Sequence, residues 1–173
     1  MRLIAPKQCP ATVFLRRLAR SLGLPDERLE IPGPVPREAL PAEYAAADIC
    51  VNPSLYENVS HTALEALACG RPTVMTSGQG NSEYVQDGQD ALVVPPADVD
   101  ALAEAMRTLL ADPDLRRRLG AAARRTVETT LSSDVVVAQI EAAYRAGLAA
   151  QTARMPLPPA RLYVAVLTHN ALA

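Results

Sequence analysis

The chain has no apolar run approaching the roughly 18 to 20 residues that cross a bilayer, and its first residues lack the apolar core of a secretory leader. Lysine is almost missing. Lys7 is the only one, the other basic residues are arginine, and the formal net charge is −2, so no basic footprint for nucleic acid is present. Cysteine is sparse and odd in number. Cys9, Cys50 and Cys69 stand far apart among small or apolar residues, which implies neither a disulfide framework nor a zinc site but reduced packing residues. These absences predict a cytosolic protein without a nucleic-acid partner, free to associate peripherally with the inner face of a membrane. What is there suits a core: 49% of the 173 residues are hydrophobic, enough for one globular unit.

From Arg2 to Pro96 short apolar runs alternate with helical patterns. The runs predict buried strands at Leu3–Ala5, Arg28–Ile31, Ile49–Asn52, Thr73–Thr76 and Ala91–Val94. Helices are predicted between them at Thr12–Leu22, Arg37–Ala47, Ser60–Cys69 and Ser82–Gln86. That alternation is the pattern of an α/β fold with a Rossmann-like parallel sheet, whose ligands sit beyond the carboxyl ends of the strands. After Pro95 and Pro96 the chain turns helical for some fifty residues, with helix starts at Asp98 and at Asp112 or Pro113 and a weak point at Gly120. These read as amphipathic covering helices with solvated arginines. The organisation expected is a domain over residues 1–150, a proline-rich linker over 151–160 and an isolated strand over 161–173 that opens a further domain or ends as an edge strand or tail.

The stretch YENVSHTALEALACG, residues 56 to 70, concentrates the chemistry. Asn58 or Ser60 can cap a helix there, Gly70 can take the left-handed position after it, and Pro72 prevents its continuation. The helix follows an apolar strand, so its first amides would face the sheet's carboxyl edge and welcome an anion. Were the whole stretch helical, Glu57, His61 and Glu65 would share one stripe, with the carboxylates about 12 Å apart at ~1.5 Å per residue. That exceeds the roughly 5 to 9.5 Å of a glycosidase acid pair. It suits an elongated ligand, polyhydroxylated at both ends and anionic in the middle, such as a nucleoside diphosphate-sugar. The competing reading is an exposed helix with two solvated glutamates. His61 reads as a phosphate donor or as a surface histidine, His169 as incidental, and Glu83 and Asp87 as structural residues beside a turn at Gly88.

Residues 40 to 110 resemble the C-terminal, donor-binding half of a family 4 glycosyltransferase of the GT-B fold. The resemblance rests on Pro53-Ser54, on Glu57 and Glu65 with seven residues between them, on Glu65-Ala66 followed by Cys69-Gly70-Arg71-Pro72, on Glu83 with Asp87-Gly88, and on LVVPPADVDALAEAM. Fainter similarity extends it to about residues 2 to 130. It implies a retaining, metal-independent transferase using UDP-sugars or GDP-mannose. Glu57 would contact the donor sugar as the catalytic residue. The backbone of Asn58, Val59, Ser60, His61 and Thr62 would meet sugar and diphosphate, Glu65 the ribose, and Gly33, Pro34 and Val35 the base. Where many members carry a glycine-rich turn after the first glutamate, this chain has Asn58-Val59-Ser60. The family's N-terminal acceptor-binding domain and the Arg/Lys pair that opens its donor domain are missing. The chain alone is therefore expected to be inactive. The segment RLYVAVLTHN is similar to the first strand of a family 2 (GT-A) glycosyltransferase. A non-catalytic sugar-nucleotide or protein-interaction module of the same fold is the alternative function, and a GT-B sugar-nucleotide epimerase a third.

Overall fold

A computed structural model describes residues 10–154, and it divides the chain into two compact units, Met1–Thr130 and Leu131–Ala173. The predicted strand at Leu3–Ala5, Lys7, Cys9, most of the 151–160 linker and the final strand with His169 lie outside the described residues.

The first unit is built on three parallel strands, β1 (Cys50–Asn52), β2 (Thr73–Thr76) and β3 (Leu92–Val94), in the order β1-β2-β3. Val51 lies opposite Val74, and Met75 opposite Val93. Successive side chains on a strand point to opposite faces, and β2, buried along its whole length, feeds two cores. Met75 joins Ala63, Leu67, Val85, Ala91 and Ala123 on one side, while Val74 joins Val94, Leu109 and Leu119 on the other. An α/β fold with a parallel sheet is what the sequence pattern demands.

The helices of this unit are α1 (Pro10–Ser21), α2 (Leu40–Ala46), α3 (His61–Ala68), α4 (Val99–Ala111) and α5 (Pro113–Thr126). The starts of α4 and α5 have a local chemical cause. The Asp98 carboxylate accepts from the Ala101 amide at 2.9 Å. Asp112 accepts from Asp114 and Leu115, both at 2.9 Å, with Pro113 as the first helical residue of α5.

Three expected elements differ. Among the described residues Arg28–Ile31 pairs with no strand: Asp26–Arg28 take a 3₁₀ turn and Glu30 keeps a bridge, while Leu29 and Ile31 remain buried around exposed Glu30. Pro25 and Pro32 bracket the segment and each lacks the N–H a ladder needs. The short helix expected at Ser82–Gln86 is a 3₁₀ turn over Gly80–Glu83, shifted toward β2 because buried Asn81 anchors it, as described below. Gly120 is no break, and α5 runs straight through it. A Cβ there would lie well inside van der Waals contact with the Gly70 carbonyl oxygen, so the glycine lets α5 cross the end of α3 at backbone distance. Gly70 itself takes φ of 65° just after α3.

Helix propensity alone predicts that Gly120→Ala stabilises by about 1 kcal/mol. The crossing reverses the sign, and the variant is expected to lose about 1–3 kcal/mol by overpacking, read from the urea midpoint.

In the second unit, α6 (Ser133–Arg154) continues into the segment read as a linker. Among the described residues no helix is long and apolar enough to cross a membrane.

Candidate functional site

β1 ends at Asn52, and the next eight residues bridge to the start of α3 beyond the carboxyl edge of the sheet. Asn52 holds both ends of that loop. Its Nδ2 donates to Ser60 Oγ at 2.5 Å and Thr62 Oγ1 at 2.9 Å, while its Oδ1 accepts from Ser54 Oγ at 2.8 Å and Gln79 Nε2 at 3.1 Å. Ser60 caps α3 from an extended conformation, φ −85° and ψ 108°, with its side chain accepting from the Ala63 amide. Buried Asn81 then grips the cap residue's own backbone: Oδ1 accepts from the Ser60 amide at 2.5 Å, and Nδ2 donates to the Ser60 carbonyl at 2.9 Å. These bonds place the first amides of α3 at the sheet's carboxyl edge. Capping engages Ala63, and the amides of exposed His61 and Thr62 precede any intrahelical acceptor.

Glu57 is outside the helix. The cap at Ser60 starts α3 at His61, as the predicted helix over Ser60–Cys69 has it, so the condition for a single stripe through Glu57, His61 and Glu65 is not met, and Glu57 pairs with Gln79 in an isolated parallel bridge. The Glu57 amide donates to Gly78 O at 3.1 Å, and the Gly80 amide donates to Glu57 O at 3.1 Å. The half-buried Glu57 carboxylate lies 3.0 Å from Ser54 Oγ and shares that hydroxyl's single proton with Asn52 Oδ1. Between the glutamates, Asn58 is exposed with its Oδ1 accepting from Tyr56 Oη at 3.0 Å, and Val59 is exposed. Glu65 stands one turn into α3, on the same side as His61 by the i, i+4 rule.

The half-buried Glu65 accepts a hydrogen bond from Tyr44 Oη at 2.9 Å. Burial, and next that bond, push the Tyr44 hydroxyl well above its ordinary range, which keeps it a neutral donor. Burial likewise pushes the Cys50 thiol up to about 11, with Arg71 opposing the rise. Gly33 is buried with φ of 93°, Pro34 is exposed and Val35 half-buried. These three stand outside both hydrogen-bond networks.

The loop carrying Glu57 and the segment Ser77–Tyr84 form the walls of a 480 Å³ cleft. Gln79, 2% exposed, belongs to its lining. Its Nε2 donates to the Asn52 carbonyl at 2.9 Å, which fixes the orientation of the amide. Its Oε1 is the one buried side-chain polar atom without a partner among the described residues. Asp87 is structural, accepting from the Val93 amide at 2.8 Å, whereas Glu83 is exposed on the cleft. Among the described residues no cluster of three or more His, Cys, Asp or Glu could hold a metal ion.

Sequence reading missed Tyr44, Asn52, Gln79 and Asn81. Their bonds run across 8 to 27 residues and leave no period in the sequence.

Residues 10–126 match the model of the family described as glycosyl transferases group 1. Among curated proteins, the chain is 40% identical over 106 residues to the D-inositol 3-phosphate glycosyltransferase of Kribbella flavida, covering 61% of this chain and 25% of that one. It is 41% identical over 113 residues to the MMP alpha-(1->4)-mannosyltransferase of Mycolicibacterium hassiacum, covering 65% and 28%. The chain thus spans about a quarter of the length of these relatives. Among solved structures, sucrose-phosphate synthase from Thermosynechococcus elongatus superposes with a TM-score of 0.74 at 32% identity, over 86% of this chain and 38% of that one. Anabaena HepE, solved in complex with UDP, shares the fold with a TM-score of 0.71 at 22% identity, over 78% and 36%.

Proposed function

Because the chain belongs to the glycosyl transferases group 1 family, we propose that its first unit is the donor-binding unit of a family 4, GT-B transferase that moves a sugar, with retention, from a UDP- or GDP-linked donor. The observation that carries this reading is the placement of Glu57 and Glu65 on either side of the α3 start, at the carboxyl edge of a parallel sheet. The donor sugar meets Glu57, which accepts its hydroxyls and offsets positive charge as the glycosidic bond opens. Sugar and diphosphate lie against the backbone of Asn58 to Thr62, the sugar toward Asn58 and the diphosphate toward His61 and Thr62, where the α3 amides and helix dipole take up the charge of the leaving group without a metal ion. His61 adds a donor there. The ribose diol meets Glu65, and the base lies near Gly33, Pro34 and Val35. The UDP seen with HepE and the transferase names of the relatives support this assignment.

Transfer to an acceptor belongs to a closed cleft of which this unit is one wall, in keeping with the matched segment covering only 25% and 28% of the two relatives. The 173-residue chain therefore binds the donor without transferring its sugar. Calorimetric titration with UDP and GDP tests the reading. At least one should bind, and Glu65→Ala should weaken it about tenfold or more, the worth of a hydrogen bond to a charged group. No binding of either nucleotide would remove the assignment.

A further inference from the structure

We propose that Tyr44 is a positioning residue that presets the Glu65 carboxylate for a vicinal diol, giving the site its preference for ribonucleotides over 2′-deoxyribonucleotides. The inference rests on the assignment of Glu65 to the ribose.

A glutamate on a helix surface samples several rotamers, and a ligand that needs one of them must bear the entropy of selecting it. Here the selection is already made. Tyr44 Oη donates to Oε2 of Glu65 at 2.9 Å, leaving Oε1 and the second lone pair of Oε2 as acceptors. The side chain of a helical residue leans toward the helix N-terminus, so a fixed Glu65 presents those acceptors about one turn from the first amides of α3. One rigid element thereby offers adjoining sites for a diol and an anion.

The donor is held as firmly as the acceptor. Tyr44 lies on the last turn of α2, and Arg71, from the turn between α3 and β2, donates to the carbonyls of Ala45 and Ala47 at 3.1 and 3.4 Å. The guanidinium therefore fastens the end of α2 to the far end of α3, independently of the Tyr44 bond. Tyr44 is half-buried, remains protonated across the working range, and cannot compete for hydroxyl protons as a second carboxylate would. Without the hydroxyl, the Glu65 carboxyl group loses its fixed direction.

The test measures dissociation constants of UDP, GDP and their 2′-deoxy counterparts for the 173-residue chain, for Tyr44→Phe and for Glu65→Gln, with thermal melts of each. Tyr44→Phe should melt close to wild type. It should weaken the ribonucleotide about tenfold and the deoxyribonucleotide little, so that most of the discrimination disappears, as it should in Glu65→Gln. Equal weakening of both ligands by Tyr44→Phe would make the bond merely structural, and no weakening would make it idle; each overturns the proposal. If Glu65→Gln abolishes discrimination while Tyr44→Phe preserves it, the ribose assignment survives and this proposal alone falls. If the wild-type chain does not discriminate, or binds no nucleotide, both fall together.

Discussion

Asn81→Ala is expected to lower the unfolding free energy by about 2–4 kcal/mol, one of the largest losses available in the first unit without opening its apolar core. Asn81 is 1% exposed, and both ends of its amide are bonded to the backbone of Ser60, itself 1% exposed. The Ser60 carbonyl keeps the Leu64 amide as a donor when Asn81 is truncated, but the Ser60 N–H is left buried and unpaired. That orphan, the lost bond to the carbonyl and the small cavity add in the same direction. Asn81→Asp separates these contributions. One carboxylate oxygen can still accept from the Ser60 amide, but the other then faces the Ser60 carbonyl, an acceptor opposite an acceptor in a buried place. Its folded-state pKa is raised, so the folded state binds more protons than the unfolded one. By linkage, the stability of this variant relative to wild type rises as pH falls through that pKa. Urea unfolding of wild type and both variants at two pH values measures all of this. A loss of a few tenths of a kcal/mol in Asn81→Ala would mean that the α3 start is held by its cap alone.

Gly80→Ala is expected to abolish the extra affinity of a nucleotide sugar over its parent nucleoside diphosphate while leaving the diphosphate itself bound. A Cβ on Gly80 would fall onto the Asn58 carbonyl oxygen, and one on Gly78 onto that of Leu55. Both obstacles are backbone atoms of the loop that carries Glu57, so no side chain can swing aside. Accommodation must break the bridge in which Glu57 donates to Gly78 and accepts from Gly80. The overpacking cost is about 1–3 kcal/mol, and the displaced part is the proposed sugar contact rather than Glu65 on its helix. Titrations of UDP against UDP-glucose, and of GDP against GDP-mannose, separate the two. Equal loss of nucleotide and nucleotide sugar would show that the loop supports the whole site instead of one end of it.

The parts of the fold that could be read from the sequence are those with a local cause. Helix α3 was legible from its ends, since Ser60 caps it, Gly70 takes the left-handed turn and Pro72 stops it. The three strands were legible because fully buried strands are short apolar runs. The Arg28–Ile31 segment shows the limit of that rule. Its alternating burial is real, with Leu29 and Ile31 inward, but a burial pattern reports a face and not the length of the ladder, which among the described residues is a bridge at Glu30. Gly120 was misread because a glycine within a helix has the same appearance whether it weakens the helix or lets another backbone approach. The cap at Ser60 leaves Glu57 outside the helix, and what the sequence does not show is the partner that holds Glu57 there, the bridge to Gln79. Nothing in the sequence ties Asn52 to Gln79, Asn81 to Ser60 or Tyr44 to Glu65. The first two exist because segments converge past the carboxyl ends of β1 and β2 and the third because α2 packs beside α3, and both are properties of the folded sheet and its helices.

The central claim is that an elongated, doubly hydroxylated anion lies across the start of α3, between Glu57 and Glu65. Backbone amide NMR of the 173-residue chain, titrated with whichever of UDP-glucose or GDP-mannose binds, tests it most directly. The predicted result is a contiguous set of perturbed amides from Glu57 to Glu65, strongest at His61 and Thr62, with a second set at Gly33 and Val35. The UDP or GDP alone should leave the Glu57 end unperturbed. Saturable binding that left the amides of Ser60 to Glu65 unmoved would contradict the account.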